Sequence, residues 1–132
     1  MYTSKERIPI FWVMLIVGLI AHSIMDMMPL FFGGDLTMEG ANGTMPVAMA
    51  IMMAMLIFTI PFAGLLICLY GKRRCWLITE IIIATILLLF NLFHMAELFT
   101  GAGVGQIFIM PFNFLTALLL LLDLRKLLKV KD

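Results

Sequence analysis

Long stretches of this chain contain no basic residue. Between Arg7 and Lys72, and again between Arg74 and Arg125, there is no Lys or Arg at all. Serine is confined to Ser4 and Ser23, and Ser23 sits beside His22, poorly placed to share its face, so no Ser-based triad is in view. The chain has no His-Glu-x-x-His, no nucleophile elbow and no Walker loop. The glycine-bearing run from Thr100 to Gly105 follows no strand pattern and lacks lysine, which argues against a phosphate cradle. The two cysteines, Cys68 and Cys75, flank a basic turn, and their spacing fits no zinc or redox motif. They read as small side chains, and a structural disulfide is disfavoured if that turn lies in a reducing cytosol. Basic residues occur only as short clusters beside apolar runs, which excludes nucleic acid as a partner.

What the chain has in quantity is apolar length. Its hydrophobic fraction is 64%, against ~45–50% for ordinary soluble domains, and this places it in the bilayer. The 132 residues read as a single all-α domain, an integral membrane four-helix bundle with spans at about 8–30, 45–70, 76–99 and 107–124. Each run is long enough for the ~20 residues that a crossing helix needs. The first run is longer than a signal-peptide core and ends in Met-Met-Pro-Leu-Phe-Phe, with no small-residue cleavage site. Trp12 suits an interfacial aromatic. Pro61, inside the second run, predicts a kink that frees the carbonyl of Ile57. Gly33, Gly34 and Asp35, then Gly40, Asn42 and Gly43, mark an exposed loop.

Charge sets the orientation. The nine basic residues fall at Lys5 and Arg7, at Lys72 to Arg74, and from Arg125 to Lys131, all on one side if there are four spans. The two opposite loops carry only Asp35 and Glu39. The positive-inside rule then predicts a multi-pass protein with both termini cytoplasmic, of the kind found in a bacterial inner membrane. The basic clusters themselves serve topology and contact with lipid head groups. The basic tail is able to prolong the last helix along the membrane surface.

The two halves echo each other. His22 and Asp26 precede the end of the first span, and His94 and Glu97 precede the end of the third; aromatics and glycines follow both. The second and fourth spans each begin near a proline and end in a leucine-rich run before basic residues. A helical hairpin used twice accounts for this pattern, and membrane proteins build sites at such repeat interfaces.

The chemistry concentrates in Asn91, His94 and Glu97, which recur every third residue and share one broad helix face. By helix rise, His22 lies roughly 12 Å and His94 and Asn113 roughly 8–9 Å inside the ends of their spans. Ionisable residues at such depth cost on the order of 2.5–3.5 kcal/mol each and mark functional positions. His22, Asp26, Asn91, His94, Glu97 and Asn113 are therefore the candidate ligand-binding or proton-handling residues, expected to converge on one outward-facing pocket. Three chemistries fit them. A His–carboxylate couple moves protons or acts as general acid. His22, Asp26, His94 and Glu97 offer a transition-metal donor set. An anionic pocket with aromatic walls binds a cationic or sterol-like amphiphile. Against these stands plain helix association through paired polar residues. The methionine stripe at Met45, Met49, Met52 and Met53 reads as adaptable packing, with copper as the alternative. Glu80 and Asp123 read as salt bridges to the basic residues nearest them in sequence, and residues 81–90 hold only Thr85 as a polar side chain, which opposes a simple proton channel along that helix.

Phe62, Ala63 and Gly64 leading to Leu69 before a basic turn, a third span ending near His94, a glycine-bearing turn, and a leucine-rich last span ending in Arg125 and Lys126 together resemble the DoxX-like small bacterial membrane proteins. The resemblance covers residues 58–128. It implies a four-helix membrane fold and, for some members, association with quinone-linked sulfur oxidation; no catalytic residue carries that activity across. A fainter likeness, in topology, Pro61 and residue types, is to sterol-isomerase-like four-span proteins. The expected function is binding or transport of a small molecule or ion. An acid/base or metal-dependent membrane enzyme acting on a lipid-soluble substrate, and an accessory subunit of a membrane complex, are the alternatives; the expected partners are the lipid bilayer and further subunits, in a homo-oligomer or a larger membrane complex.

Overall fold

A computed structural model describes residues 2–37, 43–99 and 105–130. The sequence-predicted glycine turns around Gly40 and Gly101 lie outside the described residues. Four helices dominate: α1, Ser4–Phe31; α2, Val47–Tyr70; α3, Arg74–Phe99; and α4, Gln106–Val130. All four are long and apolar enough to cross a membrane, and the chain is a multi-pass membrane protein on that basis. The helices start and stop within a few residues of the sequence-based spans, except that α4 runs on through the basic tail.

Each helix neighbours the next, and α4 closes the ring against α1, so the bundle is a simple up-and-down one. The seams are heptad-like. Ile8, Trp12, Leu15, Leu19 and His22 are buried on α1; Leu77, Glu80, Ala84, Leu87 and Asn91 on α3; Met110, Asn113, Ala117, Leu120 and Leu124 on α4. Alternating steps of three and four keep one stripe inward along near-parallel helices. The outward faces are Ile, Leu, Val and Phe, as a lipid-facing surface requires.

Helix α2 departs from this pattern. Only Pro61 and Gly64 are buried along it, and its Met-rich first half is exposed, with Met45 and Met52 both more than half accessible. Of the methionine stripe, Met45, Met52 and Met53 are thus exposed and Met49 is half-buried. Pro61 produces a widening: residues Ala54–Thr59 adopt a π-helical turn ahead of it. Proline lacks an N–H and its ring collides with the carbonyl four residues back, so the helix opens by one residue per turn. Thr59 Oγ1 donates to the Ala54 carbonyl at 3.2 Å and takes up one of the displaced acceptors.

Trp12 is not interfacial. It is fully buried, its six-membered ring lying against Gly64 so closely that a Cβ there would overlap it. Absence of a side chain at position 64 is what lets α2 approach α1. At the basic end, the ion-pair partner of Asp123 is Arg7 on the neighbouring helix α1, and not a basic residue that follows it in α4. Arg7 Nε reaches Oδ2 at 2.8 Å, Arg7 Nη2 reaches Oδ1 at 2.8 Å, and Ser4 Oγ donates to Oδ1 at 3.0 Å. This two-pronged ion pair ties the start of α1 to the end of α4. The start of α1 is closed locally, where the Thr3 N–H donates to Glu6 at 2.7 Å.

Candidate functional site

The seam of α1 ends in His22, and the next step of four along it is Asp26. The seam of α3 reaches Asn91, and the next step of three is His94. Because α1 and α3 face each other across the bundle, these positions converge. The rings of His22 and His94 meet edge to face with centroids 4.7 Å apart. Phe90 lies against the other side of His94 at 4.7 Å between centroids. The matching depth expected of the two histidines is therefore met, and they are in direct contact.

Each imidazole has its own carboxylate. His22 Nε2 lies 3.3 Å from Asp26 Oδ2, and His94 Nδ1 lies 3.5 Å from Glu97 Oε1. The His22 side chain is 8% exposed and His94 28%, whereas Asp26 and Glu97 are 56% and 53% exposed. The imidazoles thus form the inner layer of the cluster and the carboxylates its rim. That ordering suits the desolvation costs, since an ionised carboxylate left in hydrocarbon is the most expensive of these groups.

Gln106, the first residue of α4, completes the cluster. It is 3% exposed. Its Nε2 donates to the His22 carbonyl at 3.2 Å and to Asp26 Oδ1, and its Oε1 lies 2.6 Å from His22 Nδ1. Both amide hydrogens are used on acceptors, so Oε1 must accept and His22 Nδ1 must carry the hydrogen. Gln106 thereby fixes which ring nitrogen of His22 is the donor, and Nε2 is left facing Asp26. Sequence reasoning missed Gln106, which falls between the glycine run ending at Gly105 and the span beginning at Ile107. The signal that finds it is the α4 seam: Asn113, Met110 and Gln106 recur at steps of three and four.

The two asparagines sit deeper and serve packing. Asn91 Nδ2 donates to its own helix at the Leu87 carbonyl, 2.8 Å away. Asn113 is buried with its amide over Gly18, at a spacing a Cβ on residue 18 would violate, and so marks a close approach of α1 and α4. Neither is in direct contact with the histidine cluster through any described hydrogen bond. Of the six residues expected together, His22, Asp26, His94 and Glu97 cluster, Gln106 joins them, and Asn91 and Asn113 lie apart in the bundle.

The four-ligand metal set is not what this geometry assembles. His22 Nδ1 is held by Gln106, which leaves one nitrogen on that ring, and among the described residues no three His, Cys, Asp or Glu side chains are grouped to hold a metal ion. Below the cluster the core turns apolar: Leu15, Ala84, Leu87, Ala117 and Leu120 fill the bundle. Thr85 and Thr116 donate to carbonyls of their own helices at 2.7 and 2.8 Å, so neither hydroxyl bridges that layer. No protein-family model, curated protein or solved structure matches this chain.

Proposed function

We propose that this membrane protein takes up a small cation, the proton foremost, in the His22–Asp26–His94–Glu97 cluster, and that the cluster opens away from the cytosol. The distribution of basic residues supports that orientation, with both termini cytoplasmic. The DoxX-like resemblance of residues 58–128 supports a bacterial inner-membrane setting and is carried as a proposal of kinship.

One observation carries the reading: two imidazoles from different helices touch at 4.7 Å, each backed by a carboxylate. With the His22 hydrogen assigned to Nδ1, Nε2 and Asp26 Oδ2 face each other at 3.3 Å, and a proton between them converts two opposed acceptors into a hydrogen-bonded pair. The adjoining His94 ring couples its own occupancy to that of His22, because two charged imidazoles in contact repel. The apolar layer beneath makes this a binding site; transport would require that layer to open.

The test is nitrogen NMR of histidine-labelled protein in lipid nanodiscs, titrated between about pH 5 and 8, the window of an ordinary imidazole. The expected result is that the His94 curve responds to the other helix, shifting in Asp26→Asn. A His94 curve blind to Asp26 would remove the basis for a shared site.

A further inference from the structure

The opposite end of the bundle holds a second feature, unrelated to the histidines. All four helices enclose a cavity of about 450 Å³ there. Its walls include Ile8, Leu77, Leu127 and Val130, and Lys5 and Arg73 stand at it from α1 and the start of α3. Glu80 lines it about 10 Å further along α3 than Arg73, by the helix rise. Glu80 is buried and accepts a hydrogen bond from the Cys68 thiol.

The charges around this cavity are unequal in how they are employed. Arg7 is tied to Asp123. Lys5 and Arg73 are exposed and have no ion-pair partner among the described residues. Two unpaired cations from different helices therefore border an enclosed space at the level where a bilayer places its head groups. From the cavity a groove of about 340 Å³ continues between α2 and α3 past Leu66, Tyr70 and Trp76. Cavity and groove share Ile67, Gly71 and Trp76, so they are one continuous surface. Gly71 contributes no side chain at the junction, and Trp76 stands beside it, 46% exposed.

We infer that this surface is a binding site for an anionic phospholipid, the phosphate held by Lys5 and Arg73 and one acyl chain lying in the Leu66–Trp76 groove. A largely apolar cavity with two cations at it, continuing into an apolar trough, matches an amphiphile with a charged head, and the sign of the free charges selects an anionic one. General attraction of a basic surface to acidic lipid needs no cavity and is spread over every Lys and Arg. The inferred site depends on two of them.

Trp76 supplies the readout. The full chain is reconstituted in unbrominated phosphatidylcholine containing a small fraction of chain-brominated phosphatidylglycerol or, in parallel, brominated phosphatidylcholine. Quenching of Trp76 reports occupancy, and a Trp76→Phe sample gives the Trp12 background. Phosphatidylglycerol is expected to be preferred roughly thirtyfold, which is what two cations near a membrane surface supply at about 1 kcal/mol each. Lys5→Ala/Arg73→Ala is expected to abolish the preference, while the charge-matched Lys126→Ala/Lys129→Ala retains it. Equal quenching by the two lipids in the wild-type protein overturns the inference whatever the variants do. A preference that falls equally in both double variants also overturns it, since that is diffuse surface attraction. Displacement of the lipid by millimolar inorganic phosphate assigns the cavity to a free anion and overturns the lipid assignment; persistence of quenching supports it.

Discussion

Replacing Gln106 with leucine probes the assembly of the cluster at the residue that joins α4 to it. Leucine keeps most of the volume and removes three contacts: the Nδ1 hydrogen bond of His22 at 2.6 Å, the donation to the His22 carbonyl at 3.2 Å, and the donation to Asp26. They are not of equal weight. The His22 carbonyl keeps its helical partner, and Asp26, more than half exposed, replaces a lost donor with water. The His22 Nδ1–H is buried and has no substitute. In a water-soluble core an orphaned buried donor costs about 1–3 kcal/mol. Hydrogen bonds between membrane helices average about 0.6 kcal/mol and reach about 1.7, because the unfolded chain in lipid also finds partners. Gln106→Leu is therefore expected to destabilise the fold by about 1–2 kcal/mol, a shift of roughly five- to thirtyfold in the folded-to-unfolded ratio. Unfolding in mixed micelles by increasing dodecyl sulfate fraction, followed by circular dichroism, measures it. Nitrogen NMR in the same micelles should show the His22 hydrogen no longer confined to Nδ1. Gln106→Glu sharpens the case: a second carboxylate beside Asp26 repels it when both are ionised, so this variant is expected to lose more stability at neutral pH than at acidic pH. If Gln106→Leu leaves both stability and the His22 nitrogen signals unchanged, α4 does not contribute to the cluster and the tautomer argument fails.

Other perturbations test the surroundings. Asp123→Ala should cost about 1–3 kcal/mol, below the 3–5 of a wholly buried pair, because Arg7 is 32% exposed and able to reach water; a double-mutant cycle with Arg7→Ala should show coupling. Gly64→Ala should cost about 1–3 kcal/mol, since its methyl would lie no farther than 2.6 Å from three atoms of the fully buried Trp12 ring, and Trp12→Phe should relieve part of that cost. Gly18→Ala should cost less than Gly64→Ala, because the atom it meets is the end of the Asn113 side chain, and Asn113→Ala should relieve it, with thermal unfolding in detergent as the measure. Thr37 holds the Asp35 carboxyl below the ordinary value of 3.8, first through its side-chain hydroxyl and then through its N–H, which donates at 2.8 Å. The small stabilisation of that turn is present above the ordinary value and lost as pH falls through the lowered one, and the Thr37 amide shift should follow it.

The helices were readable because their cause is local. Some twenty apolar residues bounded by charge or glycine leave the backbone in lipid no other way to satisfy its hydrogen bonds. The convergence of His22 and His94 was readable for a related reason, since depth follows from counting residues along a rigid rod. Azimuth was harder to read. Trp12 looked interfacial by its place in the span, but its position on the Ile8–Leu15 stripe is what turns it inward. The same stripe, carried to α4, distinguishes Asn113 and Gln106 as seam residues from Phe108 and Phe112 as lipid-facing ones. Asp123 was assigned to Arg125 and Lys126 by sequence distance, yet its hydrogen-bonded partner is Arg7, 116 residues away, and Lys126, one turn on, adds only its charge. Pairing between the ends of a bundle depends on which helices are neighbours, and a composition argument cannot supply that.

The seams also explain why the chemistry lies at one end. Going from Gln106 along α4, the inward positions are Met110, Asn113, Thr116 and Ala117, then Leu120, Leu121 and Leu124. On α3 the inward order from the same end is Asn91, Leu87, Ala84, Glu80 and Leu77. Polar inward residues therefore occupy the histidine half of the core, and the middle of the other half is packed with leucine and alanine until Glu80 and Asp123. A core built only to hold helices together in lipid has no reason for such segregation, because small apolar residues pack as well at any depth. Polar groups at the histidine end cost least if water reaches them from that side, and the half-exposed Asp26 and Glu97 form the rim there. The leucine layer then has a physical role, as a barrier that confines solvent and ions to the histidine half. Substituting Leu87 or Leu120, both fully buried in that layer, with serine should let protons leak across vesicles loaded with a pH-sensitive dye. The wild-type protein and the Asp26→Asn variant should remain tight, and leak in the wild type would mean that the layer does not seal.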